Sequence, residues 1–220
     1  MKDSYDTFFS KGYITKEQFF QFGLEESIYI DVEKAKIGWT TLKKDVLQNH
    51  PVYIRSYGRN GAGSQLFMDL YKELLGNNNI KIDPTNNAMP ERILNLYTPY
   101  RKNIEKDSKD LKKIQNYQIS HIFGKTKNPF LFSAPWNIAY IPKLIDPFTG
   151  HEARGELPRQ YTKAFKGKAF NLFGELIEDY NQLIKSLNIE EKINEYFKKL
   201  EANKNFEVEK IIKFKKDIKN

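Results

Sequence analysis

The chain contains no cysteine. Disulfides, a catalytic thiol and any thiolate zinc site are therefore excluded, and the composition suits a reducing compartment. Nor does any stretch approach the roughly 18 consecutive apolar residues that a membrane-spanning helix needs. The first residues, Met1-Lys-Asp-Ser-Tyr-Asp6, lead into no apolar run of signal-peptide length. These absences predict a soluble, cytoplasmic protein with no membrane partner. No internal repeat and no low-complexity tract is present. Histidine is scarce, with three among 220 residues, so the position of each carries weight.

What the chain does have is core-forming material and basic charge. Hydrophobic residues make up 40% and aromatic residues 14%, ample for a packed core and incompatible with a disordered protein. The length allows one domain, or a small catalytic module with helical additions. The formal net charge of +8 favours association with nucleic acid, or less often with an anionic membrane surface.

Periodicity and punctuation give a coarse order of elements. Thr15-Lys-Glu-Gln18 has the capping-box pattern, and Gly23 is expected to stop the helix it opens. A second helix is expected from about Thr41 to Asn49, then a strand at Val52–Tyr57. Ser64 is the expected cap of a helix whose apolar face is Leu66, Phe67, Leu70, Tyr71, Leu74 and Leu75, closed by Gly76. Ile80–Ile82 reads as a short extended piece before a turn-rich segment. Residues 101–113 are charged and weakly periodic, which predicts a solvated helix or a linker. Strands are expected at about 116–123 and 136–142, and helix from Pro158 onward. In that last region Phe170, Phe173, Leu176, Ile177, Tyr180, Leu183, Ile184 and Leu187 form one stripe, read as core with a dimer interface as the alternative. The lysine-rich tail (Lys210, Lys213, Lys215, Lys216, Lys219) reads as a solvated helix face, with non-specific phosphate contact as the second choice.

The most informative segment is Asn116-Tyr-Gln-Ile-Ser-His121-Ile-Phe-Gly124, an alternating strand pattern that ends at a glycine. Asn137 follows sixteen residues after His121, Asp146 nine after Asn137, and His151 fourteen after Asn137. A neutral imidazole can take a proton from water near pH 7, and a second group of His or Asp type can hold a divalent cation. Together these are the minimum equipment for cutting a phosphodiester bond. Asp146-Pro147 also has the form of a helix start, with Asp as the N-cap and Pro in the first turn.

Ser120-His121-Ile122, Trp136-Asn137-Ile138-Ala-Tyr-Ile-Pro142, Asp146 and His151 together resemble the HNH, or ββα-metal, nucleases, in the form used by type II restriction endonucleases. The resemblance covers about 40 residues. It implies an α+β fold in which a ββα-metal module (111–160) sits between a helical and small-sheet DNA-recognition region (1–110) and C-terminal helices (161–220), the whole being a mostly helical single domain. It implies His121 as general base on the attacking water, Asn137 as the residue fixing the loop that bears the base, and Asp146 and His151 as ligands of one Mg²⁺, for which Mn²⁺ can substitute. Ser120 stands where many family members carry a further metal ligand, and the cysteine zinc site that often staples the module is impossible here.

The implied reaction is hydrolysis of both strands of duplex DNA at a short specific sequence. A homodimer is the expected form, because palindromic targets match two-fold symmetry, and a cognate DNA methyltransferase is the expected partner in the same system. The alternatives are a non-specific, nicking or homing HNH nuclease, or a non-catalytic nucleic-acid-binding protein. For reading DNA, Arg55 and Arg59 flank a glycine-rich stretch that lacks the Gly-Lys-Ser/Thr of a P-loop. Asn86 and Asn87 have amides suited to adenine readout, although turn chemistry also favours Asn there. Lys125, Lys127 and Arg154 flank the expected catalytic residues, where cations meet phosphates. His50, next to Pro51, reads as a helix-end residue with no chemical role.

Overall fold

Thr15 and Gln18 form a reciprocal capping box: the Thr15 hydroxyl accepts from the Gln18 N–H at 3.1 Å and the Gln18 side chain accepts from the Thr15 N–H at 3.0 Å. In the computed structural model, which describes residues 2–57, 63–104, 110–150, 153–202 and 208–219, this box opens α2 (Lys16–Glu25), after α1 (Ser4–Ser10). Gly23 does not stop α2 but lies inside it. A Cβ there would meet the Tyr161 hydroxyl at 2.5 Å and Ile145 at 2.8 Å, so close packing, not termination, explains the glycine.

A two-residue strand, β1 (Ile28–Tyr29), leads into α3 (Val32–Leu47). This helix starts nine residues before the Thr41 expected from the pattern. Asp31 caps it by accepting from the Glu33 and Lys34 N–H groups. Ala35, Gly38, Trp39, Leu42 and Val46 then supply a buried stripe at helical spacing. Strands β2 (Val52–Ile54) and β3 (Ile80–Ile82) pair in parallel, joined by α4 (Ser64–Leu75) as the crossover. Gly76 closes α4 in the left-handed conformation, φ 67°. Ser64 is not its cap: Gly63 holds that position, and the Ser64 hydroxyl accepts from the Tyr57 N–H at 2.7 Å.

Next come α5 (Ala88–Tyr97), β4 (Tyr100–Arg101) and β5 (Lys112–Lys113). Residues 101–113 are thus not helical where described; their two ends pair as short parallel strands. The antiparallel pair β6 (Tyr117–His121) and β7 (Ile138–Pro142) follows, with His121 opposite Ile138 and Tyr117 opposite Pro142. β1 pairs antiparallel with the other edge of β7, giving the order β1-β7-β6. All five residues of β7 are buried, as expected of an apolar run at the centre of a sheet. Burying one large aliphatic or aromatic side chain contributes about 1.5–3 kcal/mol, which makes β7 the fixed reference for its neighbours.

The chain ends in α6 (Asp146–Thr149), α7 (Glu156–Ser186), α8 (Ile189–Ala202) and α9 (Val208–Lys219). α7 buries Tyr161, Phe165, Ala169, Phe173 and Leu176. It kinks at Phe173 (φ −122°, ψ 19°), so a stripe extrapolated back from Leu176 misplaces Phe170, which is 55% exposed. One hydrophobic core runs from Phe19 to Phe214. The chain is therefore α+β, and among the described residues no helix is long and apolar enough to cross a membrane.

Candidate active site

β6 delivers His121 to the mouth of the 122–136 loop, and β7 delivers Asn137 to the loop's other end. Because the strands are in register, the Ile122 N–H donates to the Asn137 carbonyl at 2.8 Å. The Asn137 side chain, fully buried, then ties the loop together. Its oxygen accepts from the Phe123 N–H at 2.8 Å, and its amide donates to the carbonyls of Leu131 (2.8 Å) and Gly124 (3.1 Å). Asn137 thus uses its two donors and one of its acceptor positions on backbone that has no strand partner. Gly124 and Lys125 take positive φ (68° and 54°) at the sharp corner after His121, which is why the strand pattern ends at a glycine.

The same loop fixes the imidazole. His121 Nε2 lies 2.9 Å from the Phe132 carbonyl oxygen, and the Phe132 ring stacks on the imidazole at 5.4 Å with a 14° interplanar angle. A carbonyl only accepts, so Nε2 carries the hydrogen and Nδ1 of the neutral ring is the unprotonated nitrogen. Burial pushes the His121 pKa down to about 4; the Phe132 hydrogen bond opposes this, the Arg55 cation adds to it, and the Asp83 carboxylate opposes it. The ring is therefore neutral at pH 7.

This depression has a sign that can be checked. The folded state disfavours the imidazolium, so the contribution of His121 to stability is fully present above its ordinary pKa of 6.5 and is lost as pH falls toward about 4. Its size is at most about 3 kcal/mol. The expected result is that His121→Gln unfolds with a shallower loss of stability between pH 6.5 and 4 than the parent chain, measured by urea denaturation. Parallel curves would show that the imidazole is not desolvated.

His121 lines a cleft of about 690 Å³ together with Arg55, Asn87, Lys125, Lys127 and Asp146. Six expected site residues, spread over 92 positions of sequence, are thus brought to one depression. Their roles differ in detail. Asp146 is the first residue of α6; Ile145 occupies the cap position and no side chain caps the helix, so the expected N-cap role of Asp146 is replaced by a place on the cleft wall. Lys127 sets its ammonium 3.7 Å from the centroid of Tyr57 and 5.2 Å from that of Phe67. Asn86 sits at φ 66° and its side-chain oxygen accepts from the Ser56 N–H at 2.7 Å, the turn role. Arg154 lines a neighbouring basic cleft. His151 and Arg59 lie outside the described residues. His50 pairs with Asp45 at 2.9 Å and lines neither cleft.

Sequence reading missed Gln118 on β6 and Thr149 on α6, which also line the cleft. Ser120 donates to the Thr149 hydroxyl at 3.1 Å, joining β6 to α6. The period-two alternation that put His121 on a strand carries Gln118 and Ser120 with it and was a usable signal. Asp83 was also missed. It is buried and accepts from the N–H groups of Thr85, Ala88 and Met89, so it anchors the start of α5 from upstream while standing close enough to act on His121.

Residues 30–220 match the family described as uncharacterised protein PM1201, and the chain belongs to this family. A protein of Pasteurella multocida (strain Pm70), itself described as uncharacterised protein PM1201, is 42% identical over 207 residues, covering 93% of this chain and 90% of that protein. No solved structure matches the chain.

Proposed function

We propose that the protein is a metal-dependent deoxyribonuclease of the HNH, or ββα-metal, type that cuts both strands of duplex DNA at a short specific sequence, as a type II restriction endonuclease does. The observation that carries this reading is the clasp around His121. A strand-end histidine has its Nε2 hydrogen committed to a backbone carbonyl, the loop supplying that carbonyl is tied by the buried Asn137, and the imidazole shares a cleft with the carboxylate of Asp146. A core histidine would need the first feature but not the last.

The donor set fits Mg²⁺. That ion keeps several waters and is usually held by one or two carboxylates plus substrate phosphates, so Asp146 with one further ligand from His151 suffices. Among the described residues no cluster of three or more metal-ligating side chains occurs. When bound, the ion supplies stabilisation of charge on the scissile phosphate and its leaving oxygen. His121 then holds an unprotonated Nδ1 for the proton of the attacking water, and the Phe132 carbonyl keeps the ring in the tautomer this needs. Arg55 and Lys125 place positive charge on the cleft wall where phosphate oxygens would lie. Arg55, Asn87 and Gln118 are among the cleft residues suited to base edges. Palindromic recognition calls for a homodimer, with a methyltransferase of the same specificity protecting host DNA.

Plasmid incubated with Mg²⁺ should yield fragments of fixed size, and EDTA should abolish them. Asp146→Asn is expected to raise the Mg²⁺ concentration giving half-maximal cleavage by about tenfold or more, since loss of even an outer-shell partner typically costs about 10–100-fold in metal affinity. An unchanged metal optimum removes Asp146 from the site, and uncut plasmid at every metal concentration removes the nuclease reading.

A further inference from the structure

Gly150, at the end of α6, lines the His121 cleft on one side and a second, open cleft of about 700 Å³ on the other. The second cleft is basic. Arg154, Arg159, Lys163 and Lys166 line it, and each is exposed. Arg159, Lys163 and Lys166 recur at i, i+4 and i+7 on the first turns of α7, so they share one face of the helix. Arg159 is paired with Glu156 at 2.9 Å, whereas Arg154, Lys163 and Lys166 have no acidic partner among the described residues. Fold stability does not explain a row of unneutralised cations: like charges at this spacing destabilise a helix.

We infer that this face of α7 grips the sugar-phosphate backbone of the duplex beyond the phosphate at His121. The duplex as occupant rests on the nuclease reading of the neighbouring cleft, and three observations carry the placement. The two clefts share Gly150, so a strand leaving the catalytic cleft meets α7 next. The stripe from Arg159 to Lys166 rises about 10 Å along the helix, the axial length over which one strand presents about three phosphates. The exposed side chains of this cleft are lysine and arginine, the Phe148 ring that also lines it is fully buried, and the nearby Gln160 amide donates to Glu156, the composition of a surface that positions DNA without reading it.

The test is duplex binding by the full chain in EDTA, where no cleavage occurs, measured by fluorescence anisotropy across a salt series. The triple variant Arg154→Ala/Lys163→Ala/Lys166→Ala should lower the slope of log affinity against log salt by about 2–3 units, roughly one for each phosphate that the variant leaves unneutralised. A control triple at exposed lysines lining neither cleft, Lys34→Ala/Lys44→Ala/Lys198→Ala, should leave the slope unchanged. An unchanged slope in the first triple, an equal fall in both, or no duplex binding by the parent chain overturns the inference. So does selective binding of phosphatidylserine vesicles through these residues with no effect on DNA. Plasmid cleavage with Mg²⁺ separates the two readings. Cut plasmid with an unaltered slope removes the grip and leaves the nuclease; uncut plasmid with the expected fall in slope removes the nuclease and leaves a DNA-binding face.

Discussion

Replacing His121 by alanine is expected to lower the rate of plasmid cleavage by about 10²–10⁴-fold while duplex affinity stays within about twofold. The range is that of a missing general base. Affinity is expected to survive because, under the proposed function, the cations on the cleft wall and not the imidazole would meet phosphate. Under the proposed function the parent chain should hold its cleavage activity across neutral pH and lose it only in acid, since the His121 pKa is pushed down to about 4 and the ring carries no charge at pH 7. Single-turnover cleavage at saturating Mg²⁺ is the measurement, because it isolates the chemical step from product release. A variant that cuts at parent speed would reduce His121 to a packed histidine stacked on Phe132.

How much of this was legible in the sequence depends on the range over which each signal acts. β6 and β7 were readable because alternation and a terminal glycine are local, and β7 declared itself by an unbroken apolar run. The link between His121 and Asn137 was readable only through the resemblance to the HNH motif, whose spacing the two residues match. β1 was not, since two residues carry no period; it is a strand only because β7 offers it an edge. The early start of α3 depended on one capping carboxylate, Asp31, ahead of a stripe interrupted by Gly38. A Cβ on Gly38 would meet Pro135 at 2.7 Å, so the glycine serves a distant approach that no local pattern announces. Asp83 is the clearest omission. It is 38 positions from His121, and its carboxylate is occupied in holding α5, so its influence on the imidazole exists only in the folded chain. The register of α7 failed for a different reason: a kink at Phe173 breaks the single period that the stripe assumed.

Buried asparagine is not in itself a mark of chemistry, and the fold contains its own control. Asn77 is as buried as Asn137 and likewise donates to backbone carbonyls, those of Val46 and His50 at 2.8 and 3.1 Å, at the end of α3. The difference is what the tied backbone carries. Asn137 holds the loop whose Phe132 carbonyl fixes the His121 tautomer; Asn77 holds a helix terminus.

Aspartate at each position should therefore give the same stability effect and different catalytic effects. Asn→Asp preserves volume, but an ionised carboxylate turns both donors into acceptors facing carbonyl oxygens, and a protonated one restores a single donor. Leaving buried polar groups unpaired costs about 1–3 kcal/mol each, so either variant should lose about 3 kcal/mol and unfold roughly 6–12 °C lower, given about 2–4 °C per kcal/mol in a chain of this size. Assayed well below its own midpoint, Asn77→Asp should cut DNA at close to the parent rate. Asn137→Asp should be slower by about 10²-fold at the same distance from its midpoint, the scale of misplacing a reacting group by about an ångström. Differential scanning calorimetry fixes the midpoints and single-turnover cleavage reads the rates. Equal rates for the two variants would make Asn137 a support of the fold alone; a slower rate confined to Asn137→Asp would make it the positioning residue through which β7 and the loop set the base.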